Sequence, residues 1–203
     1  MSEPDPQPEH SDDRPSPDSQ RPTQRLWEYA VERYDRTGAS AALINFQDKF
    51  HANINVILWC CWRAEQSTLL SDIEMRHALD IANSWAREIS SPLRTARRAL
   101  GTERYRNHAR ENGGLYDKVK AIELESERLE LALYEAIGNV TDAKPSQGSH
   151  QSLARRNIAI YCALAGLVRS EEFSVSLIDD IVQLICDDNQ SADELPRKDA
   201  HLP

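Results

Sequence analysis

Residues 115–137, LYDKVKAIELESERLELALYEAI, place Leu115, Val119, Ile122, Ser126, Leu129, Leu133 and Ala136 at alternating steps of four and three. That spacing returns each side chain to one stripe of an α-helix, the seam along which two helices pack in coiled-coil fashion. Gly113 and Gly114 break the chain before the stretch, and Gly138 and Asn139 close it, so it reads as one long helix. A strand needs alternation at a step of two, which no segment of the chain shows. The expected fold class is therefore all-α, a bundle of about eight helices that includes an antiparallel hairpin over about residues 92–137.

The other half of the hairpin lies just upstream. Ser91 and Pro92 offer an N-cap and an N1 proline for a helix to about Glu111, with Leu93, Ala96 and Leu100 at seam spacing. Before it, Ser71 and Glu74 match a capping box and open a helix to about Ile89, with Ile73, Leu79, Ile81, Ala82 and Trp85 available for the core. Asn53 or Asn55 caps a helix that reads VILWCCWRAEQ from Val56. It is apolar nearly all round, as expected of a central helix surrounded by others. Two helices precede it, about Thr23–Arg36, ended by Gly38 in the C′ manner, and about Ala39–Phe50. Two follow the hairpin, about Ser152–Val168 and Ser174–Asp188. The expected organisation is a disordered Pro-rich acidic arm at 1–22, a helical domain at 23–138, a linker at 139–151, a C-terminal helical pair at 152–188 and a flexible tail at 189–203.

The net charge of −9 over 203 residues speaks against a general affinity for nucleic acid or anionic membrane. Residues 1–22 hold six acids and two arginines, and residues 187–203 hold five acids against Arg197 and Lys198, so the helical part is close to neutral. Its N-terminus has neither a basic start nor an apolar run, so it does not read as a signal peptide. The most apolar window, Ile54–Trp62, is far shorter than the roughly 20 residues that span a bilayer. Cys60, Cys61, Cys162 and Cys186 lack metal-ligand spacing and read as free core thiols of a cytoplasmic protein.

Several blocks carry a resemblance. They are Leu26-Trp27-x-Tyr29-Ala30, Gln47-Asp48, Asn55-Val56 through Trp62, Trp85-x-Arg87, Pro92-Leu93-Arg94-x-x-Arg97-Arg98, and Lys120-x-x-Glu123-Leu124-Glu125-x-Glu127-x-x-Glu130. Over about residues 25–137 the chain resembles an uncharacterised family of short helical proteobacterial proteins with an N-terminal Leu-Trp-x-Tyr-Ala segment, a domain of unknown function. The resemblance implies a bacterial, cytoplasmic, helical protein and no catalytic residues. The chain departs from the pattern at His51, where the resemblance implies a glycine, and in its Pro-rich arm and 152–188 helices.

Seven arginines lie between Arg87 and Arg110, while Glu123, Glu125, Glu127, Glu130 and Glu135 line the following helix. A turn at Gly113–Gly114 would bring Arg97 opposite Glu130 and Arg104 opposite Glu123 as structural ion pairs. Alternatively Arg94, Arg97 and Arg98 stay open for an anion or an acidic partner, their planar forks suiting oxyanions, with Trp85 or Trp59 meeting an apolar part. Glu74-x-x-His77 and Asp48-x-x-His51 echo di-iron spacing, but Glu74 already has a capping role, and His51 lies at a helix end with Asp rather than Glu as its partner, so no metal is expected. No nucleophile elbow, phosphate loop or zinc-protease motif occurs, and no cofactor is expected. The expected function is a non-enzymatic helical interaction or regulatory protein, with a protein partner or a second copy of the chain. The alternatives are a small-molecule or anion-binding domain using Arg94, Arg97 and Arg98, possibly enzymatic, and weak RNA binding through the Arg-rich helix.

Overall fold

The side chain of Asn53 accepts a hydrogen bond from the backbone N–H of Val56 at 3.2 Å, and this cap opens the central helix of the fold, α3 (Ile54–Glu65). In the computed structural model, which describes residues 25–111, 114–137, 146–169, 173 and 175–187, every α3 residue from Ile54 to Ala64 is buried. Around it stand α1 (Leu26–Tyr34), α2 (Ala39–Phe50), α4 (Asp72–Trp85), α7 (Leu115–Ile137), α8 (His150–Leu164) and α9 (Val175–Cys186). Two further helices, α5 (Ser91–Leu100) and α6 (Arg106–Glu111), pack on α7. Among the described residues there is no strand, and no helix is long and apolar enough to cross a membrane. The arm expected at 1–22, the tail at 189–203 and linker residues 139–145 lie outside the described residues.

The C-terminal helices share the core of the N-terminal ones. Leu153, Ile158, Ile181 and Val182 are buried in the same cluster as Leu26, Trp59 and Leu131. Asn157 joins the two parts. From the fully buried middle of α8 its side chain donates to the carbonyls of Cys60 and Thr68, each at 3.1 Å, and accepts from the N–H of Leu70 at 2.9 Å. One amide thus satisfies three main-chain groups of α3 and the loop that leaves it. Arg36 donates to the carbonyls of Ile185 and Asp187, both at 2.8 Å, and so caps the C-terminal end of α9.

The capping box at Ser71 and Glu74 forms as read, with Ser71 N–H donating to Glu74 Oε2 at 2.8 Å. Three other sequence expectations need correction. Gly38 does not end α1, which stops at Asp35; it opens α2 with φ of 84°, close to Leu184. Ser91 is not an N-cap, because the chain runs helically from α4 into α5 through a π-turn at Ala86–Ser90, where the N–H of Ser91 reaches back to the carbonyl of Ala86. Pro92 has no N–H and its ring crowds the carbonyl four residues back, a conflict that the wider turn eases without breaking the helix.

The third correction concerns α7. Leu115, Ile122, Leu129 and Leu133 of the expected seam are 48%, 55%, 54% and 37% exposed, Ala136 is exposed and Val119 half-buried; of that seam only Ser126 is buried. The buried face instead carries Glu123, Ser126, Glu127, Glu130, Leu131, Tyr134 and Ile137. Its neighbour decides this orientation. No α5 residue is fully buried, and α5 presents arginines to α7, so the carboxylate stripe rather than the leucine stripe turns inward.

Candidate functional site

Polar residues that the core would ordinarily exclude converge where α2, α3, α4, α7 and α8 meet. Glu130, 3% exposed, accepts at Oε1 from Asn53 Nδ2 at 3.0 Å and from the Tyr134 hydroxyl at 2.6 Å, and at Oε2 from Asn55 Nδ2 at 2.8 Å. The N–H of Asn53 donates to the Tyr161 hydroxyl at 2.7 Å. The two asparagines expected as alternative helix caps therefore act together: Asn53 caps α3, and both hold Glu130. Burial and the adjoining Glu130 carboxylate push the Tyr134 phenol well above its ordinary range, so it keeps its proton and donates it to Glu130.

One and two turns back along α7, Glu127 and Glu123 face α5. Arg97 grips Glu123 through Nε, while Arg94 sits 3.4 Å from Glu123 and 3.5 Å from Glu127. Glu127 is 2% exposed, and its Oε1 makes no hydrogen bond of good geometry. Burial, opposed by Arg94 and aided by Glu123 and Glu130, pushes its carboxyl up to about 8. The carboxyl is then protonated at neutral pH.

The ion pairs differ from the sequence expectation in register. Arg97 meets Glu123 rather than Glu130, about two helical turns away from the hairpin alignment first drawn. Arg104 does not meet Glu123; its guanidinium lies over the Tyr105 ring at 5.2 Å. The reason is the connection. Residues 101–105 and α6 intervene between α5 and α7, so α5 ends at Leu100 and does not run on to Glu111 as one half of a simple hairpin.

Beside this network is a cleft of about 660 Å³. Its deeper lining includes Asn55, Ser90, Glu130 and Tyr161, and its exposed rim Asp48, His51, Asn83 and Ser91, with Arg94 half-buried at one side. Two backbone irregularities border it: the π-turn, and His51 with φ of 55° and ψ of 32°, a left-handed conformation unusual for a side-chain-bearing residue. Of the residues singled out from sequence for binding, only Arg94 lines the cleft. Arg97 is engaged with Glu123, Arg98 is exposed elsewhere on α5, Trp85 is half-buried away from the lining, and Trp59 is a core residue packed on Tyr134. Sequence reading missed Asn53, Asn55, Glu130 and Tyr161 as one group, because they come from three helices far apart in the chain. Among the described residues no three His, Cys, Asp or Glu side chains gather in a way that could hold a metal ion.

Fold and site define a helical bundle with a two-faced long helix: buried carboxylates beside a polar cleft on one side, an uncovered leucine stripe on the other. The chain belongs to the family described as "Protein of unknown function (DUF2390)", whose model matches residues 25–133. No curated protein and no solved structure matches it.

Proposed function

We propose that this is a non-enzymatic helical interaction protein of the bacterial cytoplasm, which docks a helix of a second copy of the chain along the outward face of α7. The observation that carries the reading is the 4-3 seam turned to solvent at Leu115, Ile122, Leu129 and Leu133. The stripe from Leu115 to Ala136 is about 32 Å long at 1.5 Å per residue, enough for a helix to lie along it. In an antiparallel pair centred between Glu125 and Ser126, Ile122 meets Leu129 of the second copy, Leu115 meets Ala136, Val119 meets Ala132 and Leu133 lies against the aliphatic stem of Lys118, while Glu125 comes near Arg128. The exposed charges Lys118, Glu125 and Arg128 are of mixed sign, so a second copy is not repelled.

Covering four half-exposed large side chains on each copy contributes on the order of 8 kcal/mol, against an association cost of roughly 4–15 kcal/mol. The pair is therefore weak and concentration-dependent. Anion binding through Arg94 and Arg97 draws less support, since both guanidiniums already face buried carboxylates. Glu125→Cys, placed near the two-fold axis, tests the geometry: mild oxidation should give a disulfide-linked dimer, and Leu115→Cys, far from the axis, should link much less. Equal linkage at the two positions, or none at either, would reject the antiparallel pairing.

A further inference from the structure

The cleft at Glu130 lies on a different face from the leucine stripe, and its chemistry is that of a ligand site. A carboxylate can accept about four hydrogen bonds; Glu130, which lines the cleft, receives three, two at Oε1 and one at Oε2, leaving acceptor capacity at Oε2. All three donors are neutral. Among the described residues no Lys or Arg nitrogen forms an ion pair with Glu130, although it is buried. A carboxylate removed from water without a counter-charge is costly, and a cation supplied at that oxygen would offset much of the cost. Arg94, the cation nearest at hand in the lining, is directed to Glu123 and Glu127 instead.

The rest of the lining agrees in sign and in size. Asp48 adds a second carboxylate at the rim, while Gln47, Asn83, Ser90 and Ser91 provide neutral hydrogen-bonding groups. A volume of about 660 Å³ lies within the range of small-molecule sites. The His51 backbone and the π-turn at Ala86–Ser90 hold the two walls in conformations that ordinary helix geometry would not choose.

We propose that the cleft binds a small organic cation, a primary amine or guanidine of the size of a short diamine, whose charged end sits on Glu130 and whose other end reaches Asp48 at the rim. The site is separate from the α7 stripe, so its occupancy does not depend on self-association.

Isothermal titration of the full chain with agmatine and with putrescine tests this, with 1,4-butanediol as the uncharged control and inorganic phosphate as the anionic one. The amines should bind while butanediol and phosphate do not. Glu130→Gln should weaken amine binding roughly tenfold or more, the scale of one charged hydrogen bond. Because Glu130 is buried, two exposed rim variants accompany it. Asp48→Asn should weaken the diamine by a few-fold, and Ser91→Trp should block the cleft; circular dichroism establishes that each is folded. Absence of amine binding, amine binding indifferent to Glu130→Gln and Ser91→Trp, or phosphate binding lost in Arg94→Gln would each overturn the proposal.

Discussion

Glu127→Gln should abolish a large part of the pH dependence of folding. In the native protein the Glu127 carboxyl is pushed up to about 8, chiefly by burial, from an ordinary value of 4.5. The groups facing it are Arg94 from α5, Glu123 and Glu130 from α7, and Tyr34 from α1. Between pH 4.5 and 8 the folded state keeps a proton on this group that the unfolded chain has released, so its share of the stability falls as pH rises and is fully present only below pH 4.5. Each pH unit in that window costs the folded state about 1.4 kcal/mol, which sets a ceiling of about 5 kcal/mol across it. Glutamine keeps the shape and carries no such dependence. Urea unfolding of both proteins at pH 5, 6, 7 and 8 should show the variant gaining on the wild type by roughly 1 kcal/mol per pH unit. A stability difference independent of pH would mean that Arg94 neutralises Glu127 in the folded state, and the description of the carboxylate stripe would be wrong.

Asn157→Ala should destabilise the fold by about 3 kcal/mol or more, since three buried main-chain partners lose their hydrogen bonds at once; a loss under about 1 kcal/mol in the same assay would contradict that role. The four thiols are buried; burial pushes that of Cys60 well up and that of Cys162 up to about 12, and the hydrogen bond with Cys186 together with burial pushes that of Cys61 well up, so a thiol reagent should label none of them until the protein is unfolded. His51→Gly should raise stability by up to about 1 kcal/mol, because glycine adopts the left-handed backbone without strain; an unchanged or lower melting temperature would show that the His51 side chain holds the loop through contacts of its own.

The sequence carried the helices more readily than their faces. Hydrophobic spacing, the Asn53 cap and the Ser71/Glu74 box are local signals, and they placed α2, α3, α4 and α7 to within a few residues. The inward face of α7 was not legible. Its leucine seam and its glutamate stripe have equally regular spacing, and only the arginines of α5 opposite decide which one turns inward. Pro92 misled for a related reason: a proline ordinarily marks a helix start, but a π-turn lets α4 continue past it, and nothing local announces that turn. The cleft depended on Asn53, Asn55, Glu130 and Tyr161 meeting across distant helices, so its chemistry could emerge only once they were packed together.

Self-association through α7 is the central claim, and sedimentation equilibrium of the full chain tests it most directly. Over loadings from about 10 to about 300 μM, the range in which a weak pair forms, the wild-type mass should rise from that of one chain toward that of two. Ile122→Glu with Leu129→Glu, both at exposed positions, should remain folded and hold the mass of one chain throughout. A wild type that stays monomeric over the whole range, or a double variant that associates as the wild type does, would contradict it.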